Sequence, residues 1–111
     1  MKARPLLAGD RSLLKLDIDK GCERPTLLML CRRLRRAGYA IKWLSECISP
    51  SGKGWHIILD VKPSPVTPQE VVALQAVLGS DPAREACNLA RANLLPRMSA
   101  YARDRWNVFY K

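Results

Sequence analysis

The stretch that most restricts how this chain can fold is Ser49-Pro50-Ser51-Gly52-Lys53-Gly54, set between two runs of strand-forming residues. Upstream, Tyr39 to Ile48 is rich in aromatic and β-branched side chains; downstream, Trp55 to Val61 is mostly apolar. Serine, proline and glycine favour turns for conformational reasons, so the two runs are predicted to pair as a hairpin. Strand side chains alternate with a period of two. His56, Ile58 and Asp60 should then face one way, and Trp55, Ile57, Leu59 and Val61 the other.

Ser12 to Asp19 reads as a further strand, with Leu14, Leu16 and Ile18 on one face and Lys15, Asp17 and Asp19 on the other. Gly21 breaks it. Pro25 suits a first helical position, and Leu27, Leu30, Cys31 and Leu34 follow helical spacing up to a C-capping Gly38. After the extended Pro63-Ser64-Pro65-Val66 linker, Thr67-Pro68-Gln69-Glu70 has the form of a capping box. It opens a helix carrying Val71, Val72, Leu74, Val77 and Leu78, which stops at Gly79. Asp81-Pro82 starts another helix running to about Asn93, whose apolar positions (Ala83, Ala86, Cys87, Leu89) are weak. Residues 94–105 are ambiguous, with room for a short helix after Pro96, and Asn107 to Tyr110 is expected to form a last strand.

The resulting order, β-α-β-β-α-(α)-β, predicts an α+β fold: a ferredoxin-like or RRM-like antiparallel sheet with helices packed on one face. Length supports a single domain over 12–111, preceded by a loose lead-in over 1–11, because 111 residues suffice for one modest core and not for two.

The formal charge is +9, and arginines outnumber lysines 12 to 7. A small basic domain is a plausible polyanion binder, and arginine excess suits bidentate phosphate contact. Arg32, Arg33, Arg35 and Arg36 crowd one helix and are expected to track nucleic acid. Arg84 and Arg91, seven residues apart, form a second anion-contacting row. Cys22, Cys31, Cys47 and Cys87 contain no Cys-x-x-Cys pair, which argues against a structural zinc site. Reduced cysteines, no signal peptide and no run of the ~20 apolar residues that a membrane span needs predict a cytoplasmic protein with no membrane partner.

Two carboxylates on one strand face, Asp17 and Asp19, make an oxygen-rich site for Mg²⁺ or Mn²⁺. A glycine turn carrying Ser51, Gly52, Lys53 and Gly54, followed by His56, can hold a phosphate tail against such metals. Together they point to metal-assisted phosphoryl or nucleotidyl transfer. Each feature has a structural explanation as well. The carboxylates could be the polar face of a half-buried strand, the turn an ordinary hairpin turn, and the single histidine a satisfied structural residue.

The apolar strand ending in Asp17-x-Asp19, followed by Ser51-Gly52-x-Gly54-x-His56 entering another strand, resembles the archaeo-eukaryotic primase-polymerase superfamily over roughly residues 12 to 62. The resemblance implies Asp17, Asp19 and His56 as catalytic residues, and a nucleotide triphosphate held by Ser51, Gly52, Lys53, Gly54 and His56. It also implies a single-stranded DNA or RNA template, a replication partner protein and a phage- or plasmid-borne origin. Members of that superfamily add a third carboxylate to a two-metal Mg²⁺ or Mn²⁺ site. Asp60, Asp81 and Asp104 are the candidates here; Asp81 has a sufficient role as a helix N-cap, and Asp104 is favoured. Family members with full polymerase activity are usually much longer. A non-catalytic single-strand-binding module and an accessory subunit with a degenerate active site therefore stand beside the catalytic reading.

Overall fold

A computed structural model describes residues 13–19, 24–94 and Asn107. In chain order the elements are β1 (Leu13–Asp19), α1 (Arg24–Arg36), β2 (Ala40–Ile48), β3 (Gly54–Lys62), α2 (Pro68–Val77) and α3 (Pro82–Leu94). The expected last strand over 107–110, the segment 95–105 and the lead-in over 1–11 lie outside the described residues, apart from Asn107.

The three strands form an antiparallel sheet of order β1-β3-β2, so the most apolar strand is central. The fold is α+β, in an arrangement consistent with a ferredoxin-like plan. Register follows the period-two alternation. Leu14 lies opposite Leu59, Leu16 opposite Ile57 and Ile18 opposite Trp55 on one face. That face joins Leu27 and Cys31 of α1, Val71 and Val72 of α2, Leu78, and Ala92 of α3 in one buried cluster. Trp43 and Trp55 are half-buried against it, as core-edge residues. The alternation in β2 breaks once. The register shifts between Trp43 and Ser45, which leaves Leu44 as the extra residue of a β-bulge, 47 % exposed.

Both turns after helices use a glycine at positive φ, where other residues are strained. At the end of α1, Tyr39 N–H donates to Leu34 and Gly38 N–H (φ +106°) to Arg35. At the end of α2, Ser80 N–H donates to Gln75 and Gly79 N–H (φ +90°) to Ala76. These are Schellman caps, and the second delivers Ser80 to the edge of β1. Thr67 caps α2 by accepting from Glu70 N–H at 3.3 Å. Glu70 reaches back one residue further than a standard capping box, accepting from Val66 N–H at 2.8 Å.

Candidate functional site

Asp17 and His56 are directly opposed on β1 and β3, on the sheet face away from the main core. The Asp17 carboxylate approaches His56 Nε2 to 3.7 Å; its side chain is 26 % exposed whereas that of His56 is 8 % exposed. Burial pulls the His56 pKa below its ordinary 6.5; the Asp17 carboxylate opposes this and the Arg84 guanidinium adds to it. The shift favours the neutral imidazole, which has one N–H to donate a hydrogen bond and one nitrogen to accept one.

Asp19 lies two residues along β1, with its backbone opposite Gly54 at the close of the hairpin turn; its side chain is outside the described residues. Asp17, His56 and the glycine turn thus share one end of the sheet. The turn itself is tight. Gly52 N–H donates to Ser49 at 2.8 Å and Ser49 N–H to Gly54 at 2.9 Å. Proline second and glycine fourth suit a type I turn followed by a left-handed residue, and Gly52 has φ +72°. Lys53 N–H donates to Ser51 Oγ at 3.3 Å, and Ser51 Oγ lies 3.1 Å from Ser49 Oγ. The backbone N–H groups of Gly52 and Lys53 are thus engaged within the turn. The exposed Lys53 ammonium is what this turn offers an anion, while Gly54 is buried.

The structure also reveals what holds Asp17 in place. Among the described residues β1 is an edge strand, and the outward backbone groups of Lys15 and Asp17 are paired by three side chains and one backbone N–H instead of by another strand. Lys15 N–H donates to Gln75 Oε1 at 2.8 Å, and Lys15 C=O accepts from Arg84 at 2.8 Å. Asp17 N–H donates to Ser80 Oγ at 2.9 Å, and Asp17 C=O accepts from Asp81 N–H at 2.7 Å. Behind these groups Glu85 is a buried hub. Gln75 Nε2 (2.7 Å) and Asn88 Nδ2 (3.1 Å) donate to its Oε1; Ser80 Oγ (2.6 Å) and Arg84 donate to its Oε2. Asn107 closes the network, donating to Gln75 Oε1 at 2.9 Å and accepting from Arg84 at 3.2 Å.

Arg84 requires a correction. Expected on an anion-contacting surface row with Arg91, it is only 5 % exposed and is committed to Lys15, Glu85 and Asn107. Arg91 is half-buried and donates to Asn88 Oδ1 at 3.1 Å. The weak apolar positions of α3 (Ala83, Ala86, Cys87, Leu89) are exposed, and its buried face is Arg84, Glu85, Asn88 and Ala92. The sequence signal for this face is a polar stripe at i, i+1, i+4.

The α1 arginines are exposed as expected, but Arg35 also donates to Ile41 C=O of β2 at 3.0 Å. Among the third-carboxylate candidates, Asp81 is the N-cap of α3, accepting from Arg84 N–H at 2.9 Å. Asp60 is half-buried opposite Leu13 and Lys42, with its Oδ1 buried and without a hydrogen-bond partner. Asp104 lies outside the described residues.

The described part of the site offers a cation two donor side chains, the Asp17 carboxylate and the His56 imidazole. No group of three His, Cys, Asp or Glu side chains that could hold a metal occurs among the described residues. Comparison with known proteins finds no similar family model, curated protein or solved structure.

Proposed function

We propose that this chain is a nucleic-acid-binding domain of the primase-polymerase type, carrying out metal-dependent nucleotidyl transfer on a single-stranded template. The observation that carries the reading is the Asp17–His56 pair, opposed across two strands at the sheet end that also holds the Ser49–Gly54 turn. Asp17 and Asp19 would hold Mg²⁺ or Mn²⁺, which when bound neutralises charge on phosphoryl oxygens and on attacking and leaving oxygens. Lys53 offers a point charge to a triphosphate, with Ser51 beside it. His56 would donate a hydrogen bond to a phosphate oxygen. Exposed Arg32, Arg33 and Arg36 supply the electrostatic contact with the strand.

One observation favours a second reading, a non-catalytic strand-binding module or accessory subunit. The turn's Gly52 and Lys53 N–H groups are already paired within the turn, which leaves less for a triphosphate than an open cradle would. Primer extension with Mn²⁺, template and all nucleotides separates the two. Catalysis predicts product that Asp17→Asn abolishes while single-strand affinity is retained. Tight strand binding without product under these conditions selects the module.

A further inference from the structure

The outward face of α1 is not purely basic. Leu28 and Met29 are each 43 % exposed, although Leu27 and Cys31 on the same helix are buried. At 100° per residue, Leu28, Arg32, Arg36, Met29 and Arg33 fall within an arc of about 140°. They form two columns at i, i+4 spacing: Leu28–Arg32–Arg36 and Met29–Arg33. Each begins with an apolar side chain and continues with guanidinium groups, about 6 Å apart along the axis at 1.5 Å per residue. α1 contains no acidic residue.

An arginine face that served only solubility would have no use for two adjacent exposed apolar side chains; isolated ones are ordinary, but these adjoin the charged columns. The geometry points to a single-stranded nucleic acid lying on this face, its phosphates on Arg32, Arg33 and Arg36 and its base faces on Leu28 and Met29. This inference rests on the nucleic-acid reading above and deepens it by naming the groups that separate single strand from duplex. A single strand presents, within each nucleotide, an anionic phosphate and an unstacked apolar base face. A duplex presents the phosphate and keeps the base faces inside its stack. Leu28 and Met29 therefore add affinity for single strands alone, and that part is insensitive to salt because it is not counterion release.

The test is fluorescence anisotropy of the full chain with a labelled single strand and a hairpin duplex across a salt series. Leu28→Ser/Met29→Ser should weaken single-strand binding at least about tenfold, the low end of what covering the exposed 43 % of two such side chains is worth. It should leave the salt slope and duplex binding unchanged. Arg32→Gln/Arg33→Gln/Arg36→Gln should weaken both and flatten the single-strand slope by about 2, near 0.7 per phosphate contact. Both sets of positions are exposed, and an unchanged thermal midpoint verifies that each variant is folded. Unchanged single-strand affinity in the serine variant, or an equal loss on the duplex, overturns the inference while leaving the parent reading standing. Wild-type protein that binds neither nucleic acid overturns both. So does wild-type protein that binds only anionic vesicles, or only an acidic peptide, in place of nucleic acid.

Discussion

Glu85→Gln is the sharpest probe of how the edge of β1 is held. The substitution preserves shape and removes one charge and one acceptor oxygen. Glu85 is 3 % exposed, and both carboxylate oxygens are filled by donors from Gln75, Asn88, Ser80 and Arg84. An ionised carboxylate only accepts, so four donors suit it; an amide turns an NH₂ toward two of them. Gln75 cannot compensate by flipping its own amide, because its Oε1 already accepts from Lys15 N–H and from Asn107. The buried Arg84 guanidinium also loses its counter-charge. Removing one partner of a buried ion pair costs about 3–5 kcal/mol. A chain of 111 residues has about 6–17 kcal/mol in total at the usual per-residue stability, so the loss is a large share of it. Urea unfolding followed by the fluorescence of half-buried Trp43 and Trp55 measures the change. Thermal melting should fall by at least about 12 °C, taking about 4 °C or more per kcal/mol. The same substitution at exposed Glu70, which accepts a single hydrogen bond from Val66, should cost no more than about 1 kcal/mol. A loss below about 1 kcal/mol at Glu85 would refute the description of this carboxylate as a dry, fully occupied hub.

Two further outcomes follow from the ionisable groups. His56 is the only histidine, so its imidazole proton signals titrate without overlap; the midpoint should lie below 6.5, because burial disfavours the cation, and Asp17→Asn should lower it further. With the folded pKa depressed, the unfolded chain binds more protons between that midpoint and 6.5, so stability from this group falls as pH drops through that window and is flat above it; a midpoint at or above 6.5 would contradict the burial. Cys31 is buried and its thiol pKa is raised, by burial first and against the pull of Arg35, whereas Cys47 and Cys87 are exposed. Peptide mapping after maleimide labelling of native protein should therefore find Cys47 and Cys87 modified, and Cys31 modified only in denaturant.

Much of this architecture was legible in the sequence because it is encoded by local rules. Alternation in Ser12–Asp19 and Trp55–Val61 assigns each side chain to a face without reference to the rest of the chain. The Ser49–Gly54 turn makes the hairpin, Thr67 and Asp81 begin helices, and Gly38 and Gly79 end them through backbone geometry that other residues adopt only under strain. The meeting of Asp17 with His56 needed one non-local fact, that β1 lies beside β3, which the β-α-β-β order supplies. The Leu44 bulge was not legible, since nothing in Ile41 to Ser45 distinguishes an inserted residue from a continuous strand. Nor was the orientation of α3. Its periodicity allows Ala83, Ala86 and Leu89 to face the core, and hydrophobicity alone prefers that. Tertiary structure turned the helix the other way, with Arg84, Glu85 and Asn88 inward. The backbone groups of Lys15 and Asp17 at the edge of β1 needed partners, and leaving buried N–H and C=O groups unpaired costs more than burying a polar helix face whose members satisfy one another.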